Sequence, residues 1–264
     1  MKVLIKIGGT LLDSAESRFR LAAEIARAVE AGLSAVVVHG GGKQMTRFLA
    51  DRGVESKFIN GLRVTTPEVL DAVLKVLAGS VNQELVAAFV ACGSRAVGLS
   101  GMDALLTEAE RMSDELGAVG RPVRSSGELL RLLVEHGYLP VIACLAGDRQ
   151  GHFYNVNADQ MASSVGSAIE AERIFFLTDV DGVWGEDKSV YPTVTLNTCK
   201  RLIESGLATG GMRAKLEAAA DAIRHGVGEV VIAPGIVPGV IQKLLAGELL
   251  GTRLAGTVGV RLNA

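Results

Sequence analysis

Two short apolar runs, each stopped by glycines and separated by one helical stretch, constrain this chain more than any other feature. Val3-Leu4-Ile5-Lys6-Ile7 ends at Gly8-Gly9, and Ser34-Ala35-Val36-Val37-Val38-His39 ends at Gly40-Gly41-Gly42. Runs of that length and bulk read as buried strands. Between them, residues 17–31 repeat apolar side chains at Phe19, Ala22, Ile25, Ala26 and Val29, and Gly32 is a stop signal. A second helix is expected at 43–50. The strand–helix–strand–helix order implies parallel strands with right-handed crossovers, which puts both glycine turns at one edge of the sheet.

The rest of the chain continues in this style. Helices are expected at 67–91, 127–135, 157–171, 197–205 and 212–226. Strands are expected at 94–99, 139–144, 173–179, 229–233 and 256–262. Residues 102–126 are polar and irregular and read as a hairpin with loops. No internal repeat or linker interrupts the 264 residues. The spacing puts a lobe boundary near Glu172, with the two lobes sharing one sheet.

Composition narrows the possible roles. Charged residues are 21% of the chain and the formal net charge is −2, so there is no general field to attract nucleic acid or an anionic membrane. An anionic substrate must be met by a few placed cations. No run approaches the roughly 18 apolar residues of a membrane span, and the apolar start is too short for a signal-peptide core. Cys92, Cys144 and Cys199 are far apart and read as reduced thiols, so a soluble cytoplasmic protein is expected. The four histidines lack metal-ligand spacing.

In open parallel sheets ligands collect at the carboxyl ends of strands. Lys6–Thr10, His39–Lys43 and Thr178–Gly182 should all lie there. Glycine lets backbone N–H groups approach an anion closely, and a following helix adds positive potential. Each cluster alone could be only a tight turn. Neither G-x-x-x-x-G-K-[ST] nor G-x-G-x-x-G is present, which argues against a P-loop, a dinucleotide site and the protein-kinase fold. Lys6 stands inside an apolar strand, where it must be paired, point into a site, or snorkel from a sheet edge. Lys215 is one turn into a helix with a glycine-rich start, where it could equally be a solvated lysine. Arg63 offers a fork for a carboxylate or sits on the surface. Asn155 and Asp159, four apart at a helix start, suit either a site or an N-cap.

Taken in order, Lys6-x-Gly8-Gly9, His39-Gly40-Gly41-Gly42, Thr178-Asp179-Val180-x-Gly182 and Gly211-Met212-x-x-Lys215 resemble the amino acid kinase family. Asn60-Gly61-Leu62-Arg63-Val64-Thr65 and Asn155-Val156-Asn157-Ala158-Asp159 are similar to its members that phosphorylate N-acetyl-L-glutamate in arginine biosynthesis. The resemblance implies a three-layer αβα sandwich with a mainly parallel central sheet, the carbamate kinase-like fold. Residues 1–172 would bind the acceptor and dimerise, and residues 173–264 would bind ATP. The resemblance assigns catalysis to Lys6, Lys215 and Asp159. It assigns the acceptor to Gly41, Gly42, Arg63 and Asn155. ATP, with Mg²⁺ between its β- and γ-phosphates, would meet Gly8, Gly9, Asp179, Val180, Asp181, Gly182, Val183, Trp184, Leu207, Ala208 and Thr209.

Two departures carry expectations of their own. Gly98-Leu99-Ser100-Gly101-Met102-Asp103-Ala104 has Met102 and Ala104 where the family pattern has lysine and glycine. The chain also starts directly at its first strand, without the N-terminal helix of arginine-inhibited relatives, which implies a homodimer that arginine does not inhibit. Rival readings are a kinase acting on a carrier-protein-linked aminoadipate or glutamate of lysine biosynthesis, and a non-catalytic amino-acid sensor on the same fold.

Overall fold

The computed structural model describes residues 1–255. The chain opens with β1 (Lys2–Ile7), α1 (Ala15–Glu30), β2 (Ser34–His39) and α2 (Gly42–Ala50). Ser14 starts α1 by accepting the Ser17 N–H, and Gly32 leaves it with a left-handed φ of 96°. A small hairpin, β3 (Phe58–Ile59) and β4 (Leu62–Arg63), follows. Next comes a long helix made of α3 (Pro67–Val73), a π-helical stretch (Leu74–Val81) and α4 (Asn82–Ala91). Then come β5 (Ala96–Ser100), β6 (Thr107–Arg111), β7 (Val119–Ser125), α5 (Glu128–Glu135), β8 (Leu139–Ala143), β9 (Leu145–Gly147), β10 (Phe153–Val156) and α6 (Ala158–Ala168). The remaining elements are β11 (Arg173–Thr178), β12 (Thr193–Val194), α7 (Leu196–Glu204), α8 (Gly210–Arg224), β13 (Glu229–Pro234), α9 (Val240–Leu245) and β14 (Thr252–Ala255).

The expected strand at 256–262 lies outside the described residues. The other expected strands and helices appear, with ends displaced by a few residues. α9, the β3–β4 hairpin, β9, β10, β12 and β14 lie outside the elements that the sequence pattern predicts, as does the π-helical stretch inside the long helix.

Among the described residues, eight strands form one sheet in the order β12-β14-β13-β11-β1-β2-β8-β5, parallel except where β14 runs against β13. The sheet crosses residue 172 without a break, because β1 pairs with both β2 and β11. α6 packs on α8 and against β1, β2 and β11, while α1 packs on α4 and α9. These helices supply the outer layers of the sandwich. β6, β7, β9 and β10 close on themselves beside the main sheet, so the polar interval 102–126 holds the antiparallel β6–β7 pair.

The core is aliphatic, with Phe89, Phe175 and Phe176 its bulkiest fully buried side chains. Each contributes roughly 1.5–3 kcal/mol on burial. The helical segment Pro67–Ala91 is long and apolar enough to cross a membrane, yet it turns Val69, Leu77, Leu85 and Phe89 into this core.

One polar crosslink joins distant parts of the chain. Glu24 of α1 is buried; its Oε1 accepts from the Gly239 N–H (2.9 Å) and Arg20 Nη1 (3.0 Å), and its Oε2 from the Ile241 N–H (3.3 Å). Arg20 also donates to the carbonyls of Gly235 (2.5 Å) and Val237 (3.3 Å). The helix start of α9 is thus held by a carboxylate more than 200 residues away in sequence.

Candidate active site

β1 and β2 run in register, with Ile7 beside His39, so their carboxyl ends are level and their glycine turns adjoin. The Gly8 N–H donates to Leu177 O (2.9 Å) and the Gly40 N–H to Ile7 O (3.2 Å), which ties both turns to the sheet edge. A Cβ on Gly9 would lie 2.9 Å from Gly42 N and 3.0 Å from Gly41 N. Glycine is required there by the close approach of two backbones. α2 begins at Gly42, so its free amides face this same region.

Lys6 is 5% exposed and lies in a central strand, not at a sheet edge. Its ammonium is 2.8 Å from Asp159 Oδ1, and Lys215 of α8 is 3.6 Å from Asp159 Oδ2. Burial alone would raise the Asp159 carboxyl, but the Lys6 and Lys215 charges hold it below the ordinary carboxylate range. Burial draws Lys215 below the usual lysine value, and neighbouring Lys6 acts in the same direction against the pull of Asp159. One carboxylate thus faces both lysine nitrogens, and each nitrogen keeps N–H donors for an added anion.

The N-cap reading of Asn155 and Asp159 is not what the helix uses. Asn157 caps α6, accepting from the Asp159 (2.9 Å) and Gln160 (3.2 Å) N–H groups. That cap sets the first helical turn and aims Asp159 between the lysines. Asn155 instead donates through Nδ2 to Thr65 Oγ1 (3.0 Å), and Thr65 donates to Arg63 O (2.9 Å).

Arg63 is nearly buried. Its Nη2 donates to Gly42 O (3.0 Å) and Thr46 Oγ1 (2.8 Å), and its Nη1 to Ser56 Oγ. Together with Gly41, Gly42, Leu77, Cys144 and Asn155 it lines a cavity of about 170 Å³. Burial pushes the Cys144 thiol up to about 11, so this wall is neutral and unreactive. The β3–β4 hairpin also lines the cavity, and its Asn60-Gly61 tip has φ of 51° and 81°, as a two-residue hairpin demands. That tip reaches the start of α8, where a Cβ on Gly61 would touch Gly210.

On the other side, Gly8 and Gly9 end β1, and residues 179–184 follow β11. Asp179 accepts from Thr178 Oγ1 (3.2 Å) and acts electrostatically on Lys215. Burial opposes its ionisation, but its own N–H, Thr10 and Thr178 hold it below the ordinary value. Val180, Trp184 and Leu207 present exposed apolar side chains, and Asp181 is exposed. Gly182 has φ of 149°. Val183 and Ala208 are core side chains, and Val183 N–H is held by Thr252 Oγ1 (2.8 Å). Thr209 precedes α8 without a side-chain cap bond. Sequence reasoning singled out neither Thr65 nor Asn157 for what they do, although both stand inside the quoted motifs. Leu77 and Thr10 carried no signal beyond apolarity and position.

In the loop after β5, Ala104 takes φ 52° and ψ 24°, the left-handed conformation that favours the glycine of the family pattern. Asp103 holds the loop by accepting from the Ser100 N–H (2.6 Å) and Ser100 Oγ (2.8 Å).

A Lys–Asp–Lys cluster centred on buried Asp159, beside paired glycine turns on a mainly parallel sheet, has the make-up of a phosphotransferase of the amino acid kinase type. The chain belongs to the amino acid kinase family, whose model matches residues 1–234. An acetylglutamate kinase of Solibacter usitatus is 59% identical over 254 residues, covering 96% of this chain and 99% of that protein. The N-acetylglutamate synthase of Neisseria gonorrhoeae, solved with coenzyme A and N-acetyl-glutamate, has a TM-score of 0.86 and 25% identity over 98% of this chain and 60% of that one. The carbamate kinase of Giardia, at TM-score 0.68 and 16% identity over 97% and 98% of the two chains, shares the fold.

Proposed function

We infer that this protein transfers the γ-phosphoryl group of ATP to the γ-carboxylate of N-acetyl-L-glutamate, a step of arginine biosynthesis. The observation that carries the reading is the Lys6–Asp159–Lys215 cluster at the paired glycine turns, next to a small cavity lined by Arg63 and Asn155. The relatives' names supply the acceptor.

Phosphoryl transfer needs positioning and charge neutralisation more than covalent help. In this reading Arg63 and Asn155 hold the acceptor's α-carboxylate, and the Gly41 and Gly42 amides bind its reacting end. Lys6 and Lys215 neutralise the charge spread over the phosphoryl oxygens, and Asp159 keeps both ammonium groups aimed. The attacking carboxylate is already ionised at neutral pH, so no general base is required. Gly8, Gly9 and residues 179–184 and 207–209 receive the nucleotide. Mg²⁺ would enter with ATP, carried by phosphate oxygens and water. When bound, it would supply further charge neutralisation.

A carrier-protein-linked acceptor would call for an open basic entrance. The cleft outside the cavity contains Lys43 and Arg47, but Arg47 is paired with Asp13 at 2.6 Å. The reading includes an acceptor-binding lobe at 1–172, a nucleotide lobe at 173–264, and a cytoplasmic homodimer. β5 ends the sheet and Val90 of the neighbouring α4 is exposed, which supports pairing at that edge.

The test is an ATP-dependent hydroxamate assay comparing N-acetylglutamate, glutamate, aspartate and N-acetylaspartate. The reading expects acyl phosphate from N-acetylglutamate with the highest kcat/KM. A higher value for any other acceptor would overturn it.

A further inference from the structure

We propose that His39 and Asn82 form a tautomer-locked positioning pair that sets the orientation of the Gly40–Gly41 peptide and so the place of the acceptor. The inference rests on the reading that the Gly40–Gly42 turn holds that acceptor.

His39 is the last residue of β2, fully buried between Ile7 of β1 and Ala143 of β8. The mechanism does not use it as an acid or base. Its Nδ1 lies 3.0 Å from Gly40 O. A carbonyl can only accept, so Nδ1 carries the proton. Its Nε2 lies 2.9 Å from Asn82 Nδ2, and the same Nδ2 lies 2.9 Å from Val141 O. The Val141 carbonyl also only accepts, which fixes the amide with its NH₂ toward both partners. Nε2 must then offer a lone pair. Every contact is satisfied by one species alone, the neutral imidazole protonated on Nδ1.

The consequence falls on the turn. Gly40 C=O and Gly41 N–H belong to one planar trans peptide and point in opposite directions. A His39 ring that holds the carbonyl inward turns the Gly41 N–H outward, away from the ring. The partner side is equally fixed. Asn82 begins α4, directly after the π-helical stretch whose Leu77, with Val81, packs on Gly41. A Cβ on Gly98 of β5 would collide with the Asn82 amide, so glycine in that strand leaves room for the lock. The ring and the amide are thus parts of the turn.

Two measurements test this. On wild-type protein labelled with ¹⁵N-histidine, a long-range ¹H–¹⁵N spectrum at neutral pH should show Nδ1 protonated and Nε2 bare for His39. An Nε2–H tautomer or an imidazolium would overturn the proposal whatever the variants do. In steady-state kinetics, His39→Leu should raise KM for N-acetylglutamate at least about tenfold while leaving KM for ATP within about twofold. His39→Asn, which keeps a donor near the Nδ1 position, should recover most of the loss. Equal rises in both KM values, or no recovery by His39→Asn, would reduce the pair to core packing. Wild-type protein inactive on N-acetylglutamate would instead sink the proposed function and leave the tautomer result standing.

Discussion

Gly9 and Gly42 stand so close that a methyl group on the first would lie 2.9 Å from the backbone nitrogen of the second. Backbone at that distance cannot yield as a flexible side chain can, so Gly9→Ala must push the two glycine turns apart. We expect kcat/KM to fall at least about tenfold with unchanged circular dichroism, since small misplacements at a reacting centre are costly. Gly40 is the control: its Cβ would meet Ala158 Cβ at an ordinary 3.6 Å. Gly40→Ala, which adds no backbone clash, should lose less kcat/KM than Gly9→Ala, and equal losses in both variants would refute the account of the turns.

Arg63→Lys tests the acceptor cavity. Arg63 bonds Gly42 O, Thr46 Oγ1 and Ser56 Oγ through two nitrogens while lining the cavity, a fork that an ammonium cannot reproduce. KM for N-acetylglutamate should rise about tenfold or more, with KM for ATP within about twofold. A change confined to the nucleotide would contradict the assignment.

Glu24 bears on stability. Its carboxylate is buried and takes two backbone N–H groups near the start of α9 in addition to Arg20. Glu24→Ala leaves those two buried backbone donors unpaired and removes a partner of the half-buried Arg20, so unfolding free energy should drop by about 2–4 kcal/mol. Urea titrations of the two proteins give the number. A loss below about 0.5 kcal/mol would show the crosslink to be incidental.

His39 makes stability depend on pH in a defined direction. Burial lowers its pKa from 6.5 to about 4, against the opposing bond to Gly40. Between those values the unfolded chain binds a proton that the folded chain refuses, so this group's contribution falls as pH drops from 6.5 toward 4. The slope is at most about 1.4 kcal/mol per pH unit. Carboxylates in general titrate in the same window. The measured quantity is therefore the difference in Tm–pH slope between wild type and His39→Asn, which should be shallower in the variant. Parallel slopes would contradict a neutral buried imidazole.

Much of this site is readable from local pattern because its parts obey local rules. Apolar runs ending in glycine give β1 and β2, and a lysine inside β1 has to find a partner in the interior. The partner's position four residues beyond Asn155 is visible too, but its meaning depends on which asparagine caps α6. Asn155 and Asn157 both suit a cap, and only the path of β10 into α6 decides between them. The hidden parts are non-local. Thr65 joins Arg63 to Asn155 across 90 residues, and Asn82 reaches His39 through a π-helical shift that no period of 3.6 announces. β6, β7, β9 and β10 close on themselves through pairings between segments far apart in sequence, such as β7 with β10. α9 is only six residues long and depends on Glu24 for its start.

The central claim is that Lys6, aimed by Asp159, neutralises the phosphoryl group during transfer. Its most direct test is the turnover of Lys6→Ala measured beside acceptor and nucleotide binding. The account predicts a kcat lower by about 10²-fold or more, with Kd for N-acetylglutamate and for ATP each changed by less than about tenfold. Turnover at the wild-type rate would contradict it.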